Sequence, residues 1–138
     1  MHELEHLVCR RIAATSEALA GASWPAGTVV LPIAPGELLA FFRTSLVAPP
    51  TPDLSDPAAI SILDTSWSAH SFDRGSAETV MRRLASWELS DDFAQGMVAG
   101  IAAETFVIND ETGHEVVLFV VPGTVAADFA DRLADVLA

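Results

Sequence analysis

Apolar residues recur every three or four positions over residues 3–20, where Leu4, Leu7, Val8, Ile12 and Leu19 form one stripe with Thr15. That spacing predicts an amphipathic N-terminal helix. Trp24, Pro25 and Gly27 end the unit, and the β-branched run 28–33 predicts a short strand. Pro32 lacks a ladder donor, which places this strand at a sheet edge. Pro35 suits a first helical turn, Glu37 follows closely, and Leu38, Leu39, Phe41, Phe42 and Leu46 share a face, so residues 36–46 are expected to be helical. The stretch 48–57, with prolines at 49, 50, 52 and 57, is then a long surface loop.

Beyond the loop, residues 59–67 open with the strand-like ISIL. Ser76 is placed to cap a helix that turns Val80, Met81, Leu84 and Trp87 inward and Arg82 and Arg83 outward. Ser90 is placed to cap another, with Asp91 and Asp92 at the positive end of its dipole. Gly96 and Gly100 would each cost that helix roughly 1 kcal/mol relative to Ala, so close packing is expected there. Residues 105–109 and 114–121 flank Gly113 as a hairpin, and the unalternating apolar run 116–121 reads as a strand covered on both faces. Finally Thr124 is expected to cap a C-terminal helix with Val125, Phe129, Leu133, Val136 and Leu137 inward and Asp128, Asp131 and Asp135 outward. These elements add up to an α+β fold, in which about five helices, the terminal ones amphipathic, pack on a small mainly antiparallel sheet of about three to five strands.

Length changes this picture only by bounding it: 138 residues suit a single domain, 1–138, with no need of disulfide or metal staples. No apolar run reaches the roughly 20 residues that cross a bilayer. Glu3 and Glu5 stand where a secretory signal carries basic residues, so the expected compartment is cytoplasmic. A lone cysteine, Cys9, excludes an intramolecular disulfide. All seven basic residues are arginines and there is no tyrosine, which removes Schiff-base lysines and phenolic acids from consideration.

Charge matters more. The formal net charge is −12, and it is uneven: residues 1–87 hold nine acids and six arginines, whereas residues 88–138 hold ten acids and only Arg132. Such a field repels nucleic acid and anionic lipid and favours a basic protein partner. The candidate contact residues are Asp128, Asp131 and Asp135 on the last helix, with Asp91 and Asp92 beside them in the acidic third.

One catalytic-looking motif competes with this reading. Residues 2–6, HELEH, match H-E-x-x-H, in which histidines at i and i+4 of a helix grip one zinc ion and the glutamate polarises its water. Here no third ligand follows at the metzincin spacing, since Cys9 and Ile12 occupy the glycine and histidine positions. On a helical wheel His2 and His6 point away from the apolar stripe, so a zinc site there is disfavoured and no cofactor is expected. Ser66, Ser68, His70, Ser71 and Asp73 gather the letters of a hydrolytic triad, yet in an extended segment His70 and Asp73 project to opposite faces. Cys9 lies near Arg10 and His6, which could lower a thiol pKa, but a lone cysteine on a helix is more often inert, so a reactive role is disfavoured.

The leading expectation is therefore a small acidic cytoplasmic binding module for a basic protein, analogous in size, charge and composition to toxin-neutralising immunity proteins and secretion chaperones. The alternatives are a zinc-dependent hydrolase built on HELEH and a self-associating regulatory or structural domain, a homodimer whose interface uses Trp24, Trp67 and Trp87.

Overall fold

Strands dominate the protein. The computed structural model describes residues 5–25, 28–43, 54–109 and 113–137. Among them, eight antiparallel strands make one curled half-barrel sheet: β1 (Glu5–Ala13), β2 (Val29–Ala34), β3 (Glu37–Arg43), β4 (Ile60–Leu63), β5 (Trp67–Phe72), β6 (Phe93–Val98), β7 (Ile101–Asn109) and β8 (Glu115–Pro122). The order across the sheet is β2-β3-β1-β5-β8-β7-β6, with β4 also paired to β1. Three α-helices accompany it among the described residues: α1 (Ser16–Ala20), α2 (Arg74–Leu84) and α3 (Ala126–Leu137). The expected α+β fold of about five helices on about three to five strands is thus corrected to a sheet with few helices.

The N-terminal helix fails because its apolar stripe belongs to a strand buried on both faces. Leu7 and Cys9 face one cluster and Ile12 the other, and a doubly covered strand has no clean period of two. Residues 36–46 fail for the same reason. Leu39 and Phe41 of β3 enter one cluster while Leu38, Ala40 and Phe42 enter the other. The helix expected after Ser90 is strand β6, turning back as β7 through Ala99 and Gly100 at φ 53° and 79°, the left-handed pair of a two-residue hairpin. Its glycines do serve close approach: Trp87 lies so near Gly96 that a Cβ there would fall 2.5 Å from the indole.

Other expectations hold. Pro32 lies in β2, the first strand in the sheet order, and β7 and β8 form the antiparallel hairpin. On β8, Leu118 and Val120 join one buried cluster and Val117, Phe119 and Val121 the other, so it is covered on both faces. Helix α2 begins earlier than its expected cap, with Asp73 accepting from Ser76 N at 2.8 Å. Helix α3 follows a 3-10 turn at Gly123–Val125 that has no side-chain cap, so Thr124 does not cap it. The proline loop lies outside the described residues except for its end, 54–57.

Two layers position the site. Phe72, Val117, Phe119 and Val121 of the sheet pack against Val80 and Met81 of α2 and Phe129 and Leu133 of α3. The opposite face holds Leu7, Leu39, Phe41, Leu118 and Val120. Phe129 and Leu133 are fully buried, each burial contributing roughly 1.5 to 3 kcal/mol to the docking of α3. No helix among the described residues is long and apolar enough to cross a membrane.

Candidate functional site

Antiparallel pairing of β1 with β5 sets His6 directly opposite His70, between the pairs Glu5↔Ser71 and Leu7↔Ala69. Leu7 and Ala69 belong to the cluster away from the helices, and strand alternation therefore sends both imidazoles to the helix-covered face. Their ring centroids are 5.3 Å apart. Ser68, two residues before His70, shares that face, and its Oγ lies 2.7 Å from His6 Nδ1. Phe129 of α3 closes over His70 at 5.5 Å between centroids.

These groups border a cavity of about 480 Å³ between the β1–β5 seam and α3. Ala126, Ala127 and Ala130 form its helical wall, and Val8, Leu63 and Trp67 supply further apolar surface. His6 stands exposed at the mouth, whereas His70 is 1% exposed. His70 Nδ1 is buried and has no hydrogen-bond partner among the described residues. Such an orphan costs about 1 to 3 kcal/mol, which makes it a feature to explain.

The rim is held by the 64–66 connection. Asp64 N donates to Cys9 O at 2.9 Å, Asp64 Oδ1 accepts from Ser66 N at 2.8 Å, and Ser66 O accepts from Gly123 N at 2.9 Å. A Cβ on Gly123 would sit 2.0 Å from Thr65 O, so only glycine allows the end of β8 to press this closely on the rim.

Burial, and then the neighbouring His6, lower the His70 pKa to about 4; His6 is lowered by burial alone. Both imidazoles are neutral at pH 7, able to donate from one nitrogen and accept at the other. Burial and the nearby Asp64 push the Cys9 thiol up to about 12, against an opposing influence of Arg11. Cys9 is therefore an inert thiol, as expected of a lone buried cysteine despite Arg10 and His6 nearby in sequence.

The structure sorts the other sequence candidates. His2 lies outside the described residues, and His6 is in a strand, so the helical turn by which HELEH would converge on zinc is not formed at its described end. Among the described residues no three His, Cys, Asp or Glu side chains are grouped to hold a metal ion. Asp73 bonds Ser76 as the cap of α2. Ser68 joins His6, from 62 residues away, instead.

Asp128, Asp131 and Asp135 are exposed on α3 as expected. Asp128 pairs with Arg132 at 2.8 Å, and that arginine also reaches Ala99 O at the β6–β7 turn. Asp91 and Asp92 do not cap a helix. Asp91 approaches Arg74, 3.4 Å away. Asp92 accepts from Phe93 N and Ser90 Oγ, bonds that hold its carboxyl below the usual range. Asp92 O also bonds Val107 N, near the far end of β7 from Ala99. Six residues of strand, about 20 Å, separate that end from the turn that Arg132 touches. The two acidic groups therefore occupy opposite ends of the β7 hairpin and do not form one face.

A larger groove of about 580 Å³ runs along α2 past Trp87, where Arg74 engages Glu78, Glu115 and Asp91 and Arg82 bonds Thr79. The tryptophans of the expected self-association interface are each half-buried in different surroundings: Trp24 beside Phe42, Trp67 at the cavity and Trp87 against Gly96. No protein-family model matches the chain, and no curated protein matches it.

Proposed function

We propose that the protein is a binding module that holds a basic protein partner on the outward face of α3. The observation that supports this reading most directly is the state of that face. Asp131 and Asp135 are exposed, and among the described residues neither has an ion pair or hydrogen bond. Arg132, the only Lys or Arg in 88–138, is committed to Asp128 and Ala99. Unpaired carboxylates at helical spacing offer a partner's arginines several charge-assisted bonds at once. Asp91 and Asp92, engaged locally and at the other end of β7, drop out of this contact set. A cytoplasmic setting belongs to the same proposal and suits a chain whose single cysteine is buried.

The test uses two baits, the intact chain and the variant Asp128→Asn, Asp131→Asn, Asp135→Asn. A basic protein retained by the first and lost by the second is expected. Its on-rate should fall as salt shortens the Debye length from about 10 Å at 0.1 M toward about 3 Å at 1 M, while its off-rate changes little. A partner indifferent to both salt and substitution ends the docking reading.

A further inference from the structure

We propose that the cavity beneath α3 binds a small amphipathic carboxylic acid, its carboxylate held by His70, His6 and Ser68 and its apolar body lying along the alanine wall of α3. This site is independent of the outward acidic face.

The first argument is the orphan nitrogen. His70 lines the cavity and is 1% exposed, yet its Nδ1 has no partner among the described residues. The atom itself is enclosed, so a polar ligand group in the cavity supplies the missing bond only as the ring turns toward the open space. The rest of the wall is built for carbon: Val8, Leu63, Trp67 and the α3 alanines. At about 480 Å³ the volume falls within the range of roughly 300 to 1,000 Å³ usual for small-molecule sites. An apolar enclosure with a few convergent polar atoms selects a molecule with one polar end.

The identity of that end follows from the charges around it. From the β4–β5 connection Asp64 borders the cavity, but its carboxylate already accepts from Ser66 N and lies 3.9 Å from the Arg11 guanidinium. From β1 come His6 and the buried thiol of Cys9, and from β5 come Ser68 and His70. From α3 come only Ala126, Ala127, Ala130 and the ring of Phe129. No carboxylate is hydrogen-bonded to either imidazole among the described residues. A ligand amine would therefore find no free counter-charge. A carboxylate instead supplies what the empty site lacks. With it in place a protonated imidazole has a partner and both ring nitrogens can donate. Burial and His6 keep His70 neutral in the empty cavity, so binding takes one proton from solvent at pH 7, where the free acid is ionised.

The probes are hexanoate, octanoate and phenylacetate, each with its matched alcohol and amine, titrated into the intact protein. Imidazole Cε1–Hε1 resonances and calorimetry in two buffers of different ionisation enthalpy provide the readouts. At least one of the acids should shift His70 and His6 saturably, with uptake of about one proton and affinity rising about tenfold per pH unit as pH falls from about 7.5 to about 5.5. The matched alcohols and amines should bind at least about tenfold more weakly. In His70→Phe, which replaces an unpartnered ring with an apolar one of similar shape and is expected to fold, the His6 shift and the proton uptake should vanish. His70→Asn gives the same comparison with a polar side chain. Equal binding of acids and alcohols, binding without proton uptake, undiminished binding in both folded variants, or no saturable shift with any of the three acids up to tens of millimolar would each overturn the proposal.

Discussion

The two sides of α3 lie one helix diameter apart, about 10 Å, and treat charge in opposite ways. Inward, the helix presents alanines and Phe129 to a cavity where His70 is kept neutral and Asp64 is tied to its own turn. Outward, it presents aspartates of which two have no partner among the described residues. The inner side excludes charge and leaves one polar atom unmet; the outer side accumulates charge that water solvates. Function is proposed for both because each is left incomplete, but the incompleteness has different chemistry. On the outer side an arginine completes it, and on the inner side an acid.

The strongest way to break this contrast is to remove what holds the two sides apart. Phe129 is fully buried, 5.5 Å from His70 and 6.2 Å from Phe119 between ring centroids. Phe129→Ala should cost about 3 to 5 kcal/mol, measured by denaturant unfolding. An unchanged midpoint would mean that α3 is not docked by this ring, and the cavity would lose its wall.

Next in size is the pH dependence of the inner side. Unfolded, an imidazole takes its proton near 6.5; folded, His70 does so only near 4. Between these values the unfolded chain binds the extra proton, so His70 makes stability fall as pH drops from about 6.5 to about 4, with no effect above that window. The loss totals about 3 kcal/mol. His70→Phe should remove it and should stabilise the protein at neutral pH by about 1 kcal/mol, because the orphan nitrogen is gone. Unfolding curves of both proteins across this range share every other titrating group, so their difference isolates His70. A flat difference would show that the ring is not buried neutral.

Both sides of α3 were not equally legible. The outward aspartates follow from spacing alone, because an exposed helical face is written in one continuous stretch. The histidine cluster joins residues 6, 68 and 70, and its geometry depends on the β1–β5 register. A helix over residues 3–20 leaves His6 without its neighbour on β5, so the pair stays hidden; the available signal is the alternation of His6, Val8 and Ile12 against Leu7 and Cys9. The same difficulty separates β8 from β3. Both are unbroken apolar strands covered on two faces, but VVLFVV is β-branched and its sequence predicts a strand, whereas ELLAFFR carries leucine and alanine, strong helix formers. Tertiary burial overrides that propensity. At residues 93–100 the two glycines themselves argued against a helix, and Trp87 with the 99–100 turn explains them.

A smaller effect sharpens the inner side. Gly123→Ala places a methyl group 2.0 Å from Thr65 O, a backbone atom that can yield only by shifting the rim. A cost of about 1 to 3 kcal/mol is expected. The shift should also reach His6 and His70, seen as changed imidazole resonances in the folded variant. A neutral substitution would mean that the rim is not held by this contact.

The smallest effect belongs to the outer side and has the opposite sign. Asp135 lies in the last turn of α3, where no basic residue offsets the negative end of the dipole, and it belongs to the acidic third of a chain of net charge −12. Both the dipole and the surrounding field disfavour its charge. Asp135→Asn should therefore raise stability, by about 0.3 to 0.5 kcal/mol at low salt, and the gain should shrink as ionic strength increases. Asp128→Asn should not share it, because that carboxylate is paired with Arg132. A gain at 135 but not at 128 would mean that the outward face retains charge against its own stability, as expected of a surface kept for a partner. If Asp135→Asn instead destabilises the helix, its carboxylate already has a structural role, and the docking face contracts to Asp128 and Asp131.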